Sequence, residues 1–193
     1  VWLKGQGFAE ALYEFKQNGG TVIGICGGFQ MLGKSISDPH RVESQLERID
    51  GLGLIKAQTI LSKEKKTFEV RAEATGLSGA AFEAAGYEIH AGETSCADRP
   101  FARITTRGAQ NVSIEDGAVS PCGRVWGTYI HGIFDNQKLR RAVINEVRQK
   151  KGLHANDGGN IFTEVMEGSI ETLAAAVREN LNMARLMEII GIK

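Results

Sequence analysis

Cysteine and proline are scarce in this 193-residue sequence and it has no surplus of charge, and each of these lacks excludes a class of protein. The three cysteines, Cys26, Cys96 and Cys122, make neither a C-x-x-C pair nor an even framework. A disulfide-stapled secreted scaffold is therefore excluded, and free thiols in a reducing compartment, the cytoplasm, are expected. His40, His90, His131 and His154 show no ligand spacing such as H-x-x-x-H, so no metal site is expected. Lys and Arg number 23, as do Asp and Glu, and no long run of one sign breaks that balance. Nothing in the charge argues for a nucleic-acid or membrane partner. No apolar run approaches the roughly 18 residues of a membrane span. The opening "VWLKGQGFAE" lacks the basic start and apolar run of a signal peptide. With three prolines there is no Pro-rich linker, and there are no repeats, so residues 1–193 read as one domain. The chain also opens on Val in mid-pattern, which leads us to expect that an upstream part of a longer polypeptide is absent.

What is present is an alternation of strand and helix patterns. Phe8, Ala11, Leu12 and Phe15 recur at helical spacing before Asn18-Gly19-Gly20. "TVIGI" is short, β-branched and apolar on both faces, which predicts a strand buried within a parallel sheet, and "GGFQMLG" predicts a short helix directly after Cys26. Residues 38 to 62 read as a loop-rich excursion. "KTFEVRAEA", "GYEIHAGE" and "GRVWGTYIHG" predict three more strands, and residues 137 to 151 a surface helix. A helical stripe from Ile170 through Ala184 predicts one more. The expected class is α/β, an open, mostly parallel sheet flanked by helices.

Chemistry concentrates at residues 24 to 28. A strand that turns within one residue into a helix forces its corner residue to positive φ, and crowding there calls for small neighbours, which Gly24, Gly27 and Gly28 supply. The resulting G-x-C-x-G is the pattern of a nucleophile elbow with Cys26 in place of serine. Such a corner lifts the thiol clear of the sheet and sets it at a helix N-terminus, where the dipole favours a thiolate and backbone N–H groups can hold an oxyanion. The bland alternative is a buried thiol in a tight turn. A nucleophilic thiol needs a base. His131, ending an apolar strand and followed by Gly132, is the better-placed candidate, because Cys26 also ends its strand and parallel neighbours would share that edge. His90, inside a strand, is the rival, with a satisfied structural histidine as its equal alternative, while His40 and His154 sit in loop-like sequence.

Four blocks, "GICGGFQMLG", "IDGLGLI", "GYEIHAGET" and "WGTYIHGIFDN", occur in order over most of the chain and resemble the triad-type (class I) glutamine amidotransferases, within them the cobyric acid synthase branch. The resemblance implies glutamine hydrolysis, with ammonia passed to an N-terminal ATP-dependent synthetase domain that amidates a corrinoid. ATP and magnesium would belong to that domain, and no cofactor to this one. By position Cys26 matches the nucleophile, His131 the base, Gln30 a residue that helps to hold glutamine, and the Gly27 amide one oxyanion donor. Many relatives carry H-P-E, whose glutamate orients the histidine, whereas here His131-Gly132-Ile133 stands. A Cys-His pair without a conventional third member is expected, and Glu88 and Glu93 read as solvated carboxylates. The family's first strand and a loop with a second oxyanion donor would precede Val1, so the fragment alone is expected to hydrolyse glutamine poorly and to leave a sheet edge unpaired. Rival readings are amidation of another acid (cobyrinic acid a,c-diamide synthase or peptidoglycan isoglutaminyl synthase), a non-catalytic docking module, or a cysteine hydrolase of another family that shares only the elbow.

Overall fold

The computed structural model describes residues 1–77, 80–158 and 161–192. Two compact units divide them, Val1–Leu153 and His154–Lys193. In the first, helices α1 (Trp2–Gly5) and α2 (Phe8–Gln17) precede β1 (Val22–Ile25), which turns at Cys26 into α3 (Gly27–Leu32). Short strands β2 (Ser35–Ser37) and β3 (Arg48–Asp50) lead to a long hairpin of β4 (Ala57–Ala74) and β5 (Phe82–Cys96). Strands β6 (Ala102–Arg107), β7 (Gln110–Asp116), β8 (Ala118–Val119), β9 (Val125–Thr128) and β10 (Ile130–His131) follow, and α4 (Gln137–Lys150) comes after a single helical turn.

The strands form two sheets. One has the order β1-β9-β8, and the other runs β10-β5-β4-β2-β3 with β6 and β7 continuing from β4. The α/β class is as expected, and β1 runs parallel to β9 with Ile25 level with Thr128. Among the described residues, however, only β1 with β9 and β2 with β4 are parallel, so the sheet system is mixed rather than mostly parallel. Short links explain this: antiparallel neighbours need only a tight turn, as at Gly108 between β6 and β7, whereas each parallel pair needs a crossover. β1 lies at one edge, with β9 as its ladder partner.

Two cores pack against these sheets. One gathers Trp126, Ile130, Ile133 and Leu139 with Val70, Ala72 and Phe101, the last stacked flat on Trp126. The other joins Val22, Phe29, Leu32, Val125 and Tyr129 with Ile55. Within the predicted loop region, residues 38 to 62, the structure places β3 and the start of β4, and β2 lies directly before it. Three-residue strands such as "SIS" and "RID" hold too few residues to show alternation, and their pairing is set by distant partners.

The second unit contains α5 (Ile161–Asn180) and α6 (Met183–Ile190). One continuous stripe was expected through residue 184, but the helix breaks at Leu181. Asn182 caps the new start by accepting the Arg185 N–H at 3.0 Å. No helix among the described residues is long and apolar enough to cross a membrane.

Candidate active site

Cys26 stands at the β1–α3 corner with φ 53 and ψ −116. A side chain in such a region costs about 1–3 kcal/mol and persists only where its surroundings fix it. Here the Cys26 N–H donates to the Thr128 carbonyl at 2.9 Å, and its own carbonyl accepts from Gln30 N at 3.1 Å. A Cβ on Gly24 would lie 2.7 Å from the Gly28 backbone and from Leu32, so this turn requires glycine there. Gly27 and Gly28 meet nothing within 4 Å, which corrects the expectation that crowding calls for all three glycines.

The thiol faces a cleft of about 530 Å³, whose wall includes Cys26, Gly27, Gln30 and His131, the four residues singled out from sequence. His131 reaches it because the chain leaves the first sheet after Thr128 and enters the second as β10, level with Tyr87 of β5. A Cβ on Gly86 would stand 2.2 Å from the His131 carbonyl, so the two strands close only over glycine. The His131 Nε2 is buried and makes no hydrogen bond. The Cys26 thiol donates to the Ile89 carbonyl at 3.2 Å, so thiol and imidazole share a cleft while the thiol's hydrogen bond goes elsewhere.

Gln30 is held by residues that the sequence reading missed. Its Nε2 donates to the Tyr129 hydroxyl at 3.2 Å, which meets Thr94 Oγ1 at 2.5 Å, which meets Thr59 Oγ1 at 2.8 Å. Burial pushes the Tyr129 phenol up, so it stays protonated near neutral pH and can donate and accept in this chain.

Alternation along β5 turns the side chains of Ile89 and Ala91 to one face and those of Glu88 and His90 to the other, and of these four only Glu88 is missing from the wall of the cleft. There Glu88 Oε1 accepts from Arg107 Nη2 at 2.6 Å and meets His90 Nε2 at 2.9 Å, while His90 Nδ1 lies 2.9 Å from the Gly92 carbonyl. Burial raises the Glu88 carboxyl, but His90 and Arg107 outweigh it and hold the group below the usual range. Glu88 is thus no solvated carboxylate, contrary to expectation, and it serves His90 rather than His131. Both ring nitrogens of His90 are engaged, which removes it as a rival base. Glu93 is exposed.

Asp116 and Thr128 join the two sheets. Asp116 accepts from the Thr128 hydroxyl and from Tyr129 N at 3.1 Å, and Thr128 Oγ1 accepts from Ile130 N at 3.0 Å. Burial drives the Asp116 carboxyl up to about 6. Nothing local marked either residue in sequence, because their role comes from where the chain changes sheets. Of the other thiols, both exposed, burial pushes Cys96 up, whereas the Ser120 hydroxyl holds Cys122 below the usual range. Among the described residues no three His, Cys, Asp or Glu side chains group as metal donors.

By its α/β fold and the family it matches, the chain is a glutamine amidotransferase domain of class I. It belongs to the CobB/CobQ-like glutamine amidotransferase domain family, whose model matches residues 1–139. Its relatives include the cobyric acid synthase of Moorella thermoacetica, 43% identical over 201 residues, covering 100% of this chain and 38% of that protein. The cobyric acid synthase of Syntrophobacter fumaroxidans is 40% identical over 200 residues, again over 100% of this chain and 39% of the relative. That of Thermodesulfovibrio yellowstonii is 44% identical over 183 residues, 95% of this chain and 36% of the relative. The chain therefore spans well under half the length of these relatives.

Proposed function

We propose that this chain is the glutaminase domain of a cobyric acid synthase, releasing ammonia from glutamine for ATP-dependent amidation of corrinoid carboxylates by an N-terminal synthetase domain. The observation that carries the reading is a thiol at a positive-φ corner facing a cleft shared with the unpartnered, buried Nε2 of His131. The Cys26 thiol turns from the Ile89 carbonyl and passes its proton to that nitrogen. The thiolate adds to the glutamine carboxamide carbon, and the Gly27 N–H, at the start of α3, faces the oxyanion. His131 then protonates the leaving nitrogen, the C–N bond breaks, and ammonia departs to leave a thioester. Water loses a proton to His131 and adds to the thioester. The C–S bond breaks, the thiolate recovers the proton, and glutamate leaves. Gln30, fixed by Tyr129, positions the substrate amide. ATP and magnesium serve the synthetase half, and no residue of this chain is assigned to them.

The test is Cys26→Ala in the complete protein. Glutamine-dependent amidation is expected to vanish while free ammonia still supports amidation, and loss of both activities or of neither would overturn the assignment. A glutamine-derived chloroketone should label Cys26, with Cys122→Ser as the background because the Ser120 hydroxyl holds that thiol below the usual range.

A further inference from the structure

Hydrolysing an amide needs only the Cys26 end of the cleft, yet the cleft carries charge that this chemistry does not use. Lys65, Glu43 and Asp38 line it beyond Cys26 and His131. Asp38 is already occupied: its carboxylate accepts the N–H groups of Val42, Glu43 and Ser44 at 2.8, 2.9 and 3.0 Å. Burial raises that carboxyl, but those amides, with His40, outweigh it and keep it ionised below the usual range. Asp38 thus shapes a loop that presents Glu43. Across the cleft, β4 leaves register with β5 between Ile60 and Lys65 and rejoins it with Lys65 opposite Ala91. Cross-strand partners share a face, so Lys65 stands on the side of Ala91 and Ile89, the side of the Cys26 thiol. Among the described residues neither Lys65 nor Glu43 has an ion-pair partner, and both are exposed. Ile36, Leu46, Ile49 and Leu61 supply apolar wall to the same cleft.

We propose that Lys65 and Glu43 recognise the amino-acid head of glutamine, Lys65 taking the α-carboxylate and Glu43 the α-ammonium, while the methylenes lie on the apolar wall and the carboxamide meets Cys26. This rests on the glutaminase reading above. With Asp38 taken up by its three backbone amides, Lys65 and Glu43 are the cation and the anion left to face a ligand beside these apolar side chains, and such a pair matches a zwitterion, whereas a simple amide engages neither charge. The pair is therefore a specificity device: it selects a free amino acid over amides that lack either charge.

The experiment compares glutamine with two analogues in the complete protein, γ-aminobutyramide, which lacks the α-carboxylate, and glutaramate, which lacks the α-amino group. Lys65→Ala should raise KM for glutamine by about 10- to 100-fold with kcat within about twofold, and should leave KM for γ-aminobutyramide unchanged. Glu43→Gln should do the same for glutamine while leaving glutaramate unchanged, and Lys65→Arg should retain most of the affinity. Equal penalties for glutamine and the matching analogue, or no penalty for either, would overturn the assignment. If the unmutated protein released no glutamate in a Cys26-dependent way, the glutaminase reading itself would fall. Cys26-dependent release with discrimination unchanged in both variants would refute the head-group pair alone.

Discussion

Thr128 joins both halves of the site, and replacing it with the near-isosteric valine isolates what its hydroxyl contributes. The residue is fully buried. Its carbonyl receives the Cys26 N–H, and its hydroxyl receives the Ile130 N–H at 3.0 Å and donates to Asp116. Thr128→Val keeps the carbonyl, the β-branch and the volume, so strand pairing and packing survive. What is lost is the partner of a buried N–H, worth about 1–3 kcal/mol, and a bond to a carboxylate, worth about 1.5–3 kcal/mol. Asp116, already pushed up to about 6, answers the second loss by holding its proton more tightly, which returns part of that cost. The expected destabilisation is roughly 2–4 kcal/mol at pH 7, shrinking by about 1 kcal/mol at pH 5, where the carboxyl is protonated in both proteins. Urea unfolding of this chain, followed by the fluorescence of the buried Trp126, measures it, with Thr128→Ser as a control that keeps the hydroxyl and costs about 1 kcal/mol. Equal costs for valine and serine, or a valine cost that does not vary with pH, would refute the assignment of the hydroxyl as the joint between the sheets.

Gly86→Ala should lower kcat of the complete protein by tenfold or more with little change in KM, because its Cβ would displace the His131 carbonyl 2.2 Å away; unchanged kcat in a folded variant would show that β10 can shift without cost. Asp116 should also leave its mark on stability against pH. Its folded value of about 6 exceeds the ordinary 3.8, so the folded protein binds this proton more tightly, and stability from this group falls as pH rises from about 4 to about 6, by on the order of 3 kcal/mol. Asp116→Asn removes that fall, and unfolding curves across the window that stay parallel to those of the parent would contradict it.

What could be read from sequence was what local crowding and periodicity encode. The corner at Cys26 was legible because "TVIGI" and the glycines around the thiol state a strand, a turn and a helix within a few residues, and α2 and α4 declared themselves by apolar spacing. His131 was legible as a strand end, but the reason it reaches the cleft was not. "VWGTYIH" reads as one strand, while in space it is two, β9 and β10, which pair with different sheets on either side of Tyr129. That division depends on Asp116, Thr128 and Gly86, whose partners are distant in sequence. Glu88 was misjudged for the same reason, since alternation shows that it shares a face with His90 but not that Arg107, from β6, arrives there to neutralise a carboxylate.

The two faces of β5 divide the labour of the site. Ile89 holds the thiol through its carbonyl, while Glu88, paired with His90, ties the strand to Arg107 of β6. A slip of one residue would exchange the faces, carrying an ionised carboxylate toward the cleft and apolar Ile89 against Arg107. Breaking one partner of such a buried ion cluster costs about 3–5 kcal/mol, although the intact cluster adds little net stability over an apolar substitute. By this reasoning the Glu88 cluster acts mainly on register: it makes the displaced pairing costly, and so keeps the Ile89 carbonyl at the thiol and His131 opposite Tyr87, the alignment on which the chemistry of Cys26 depends.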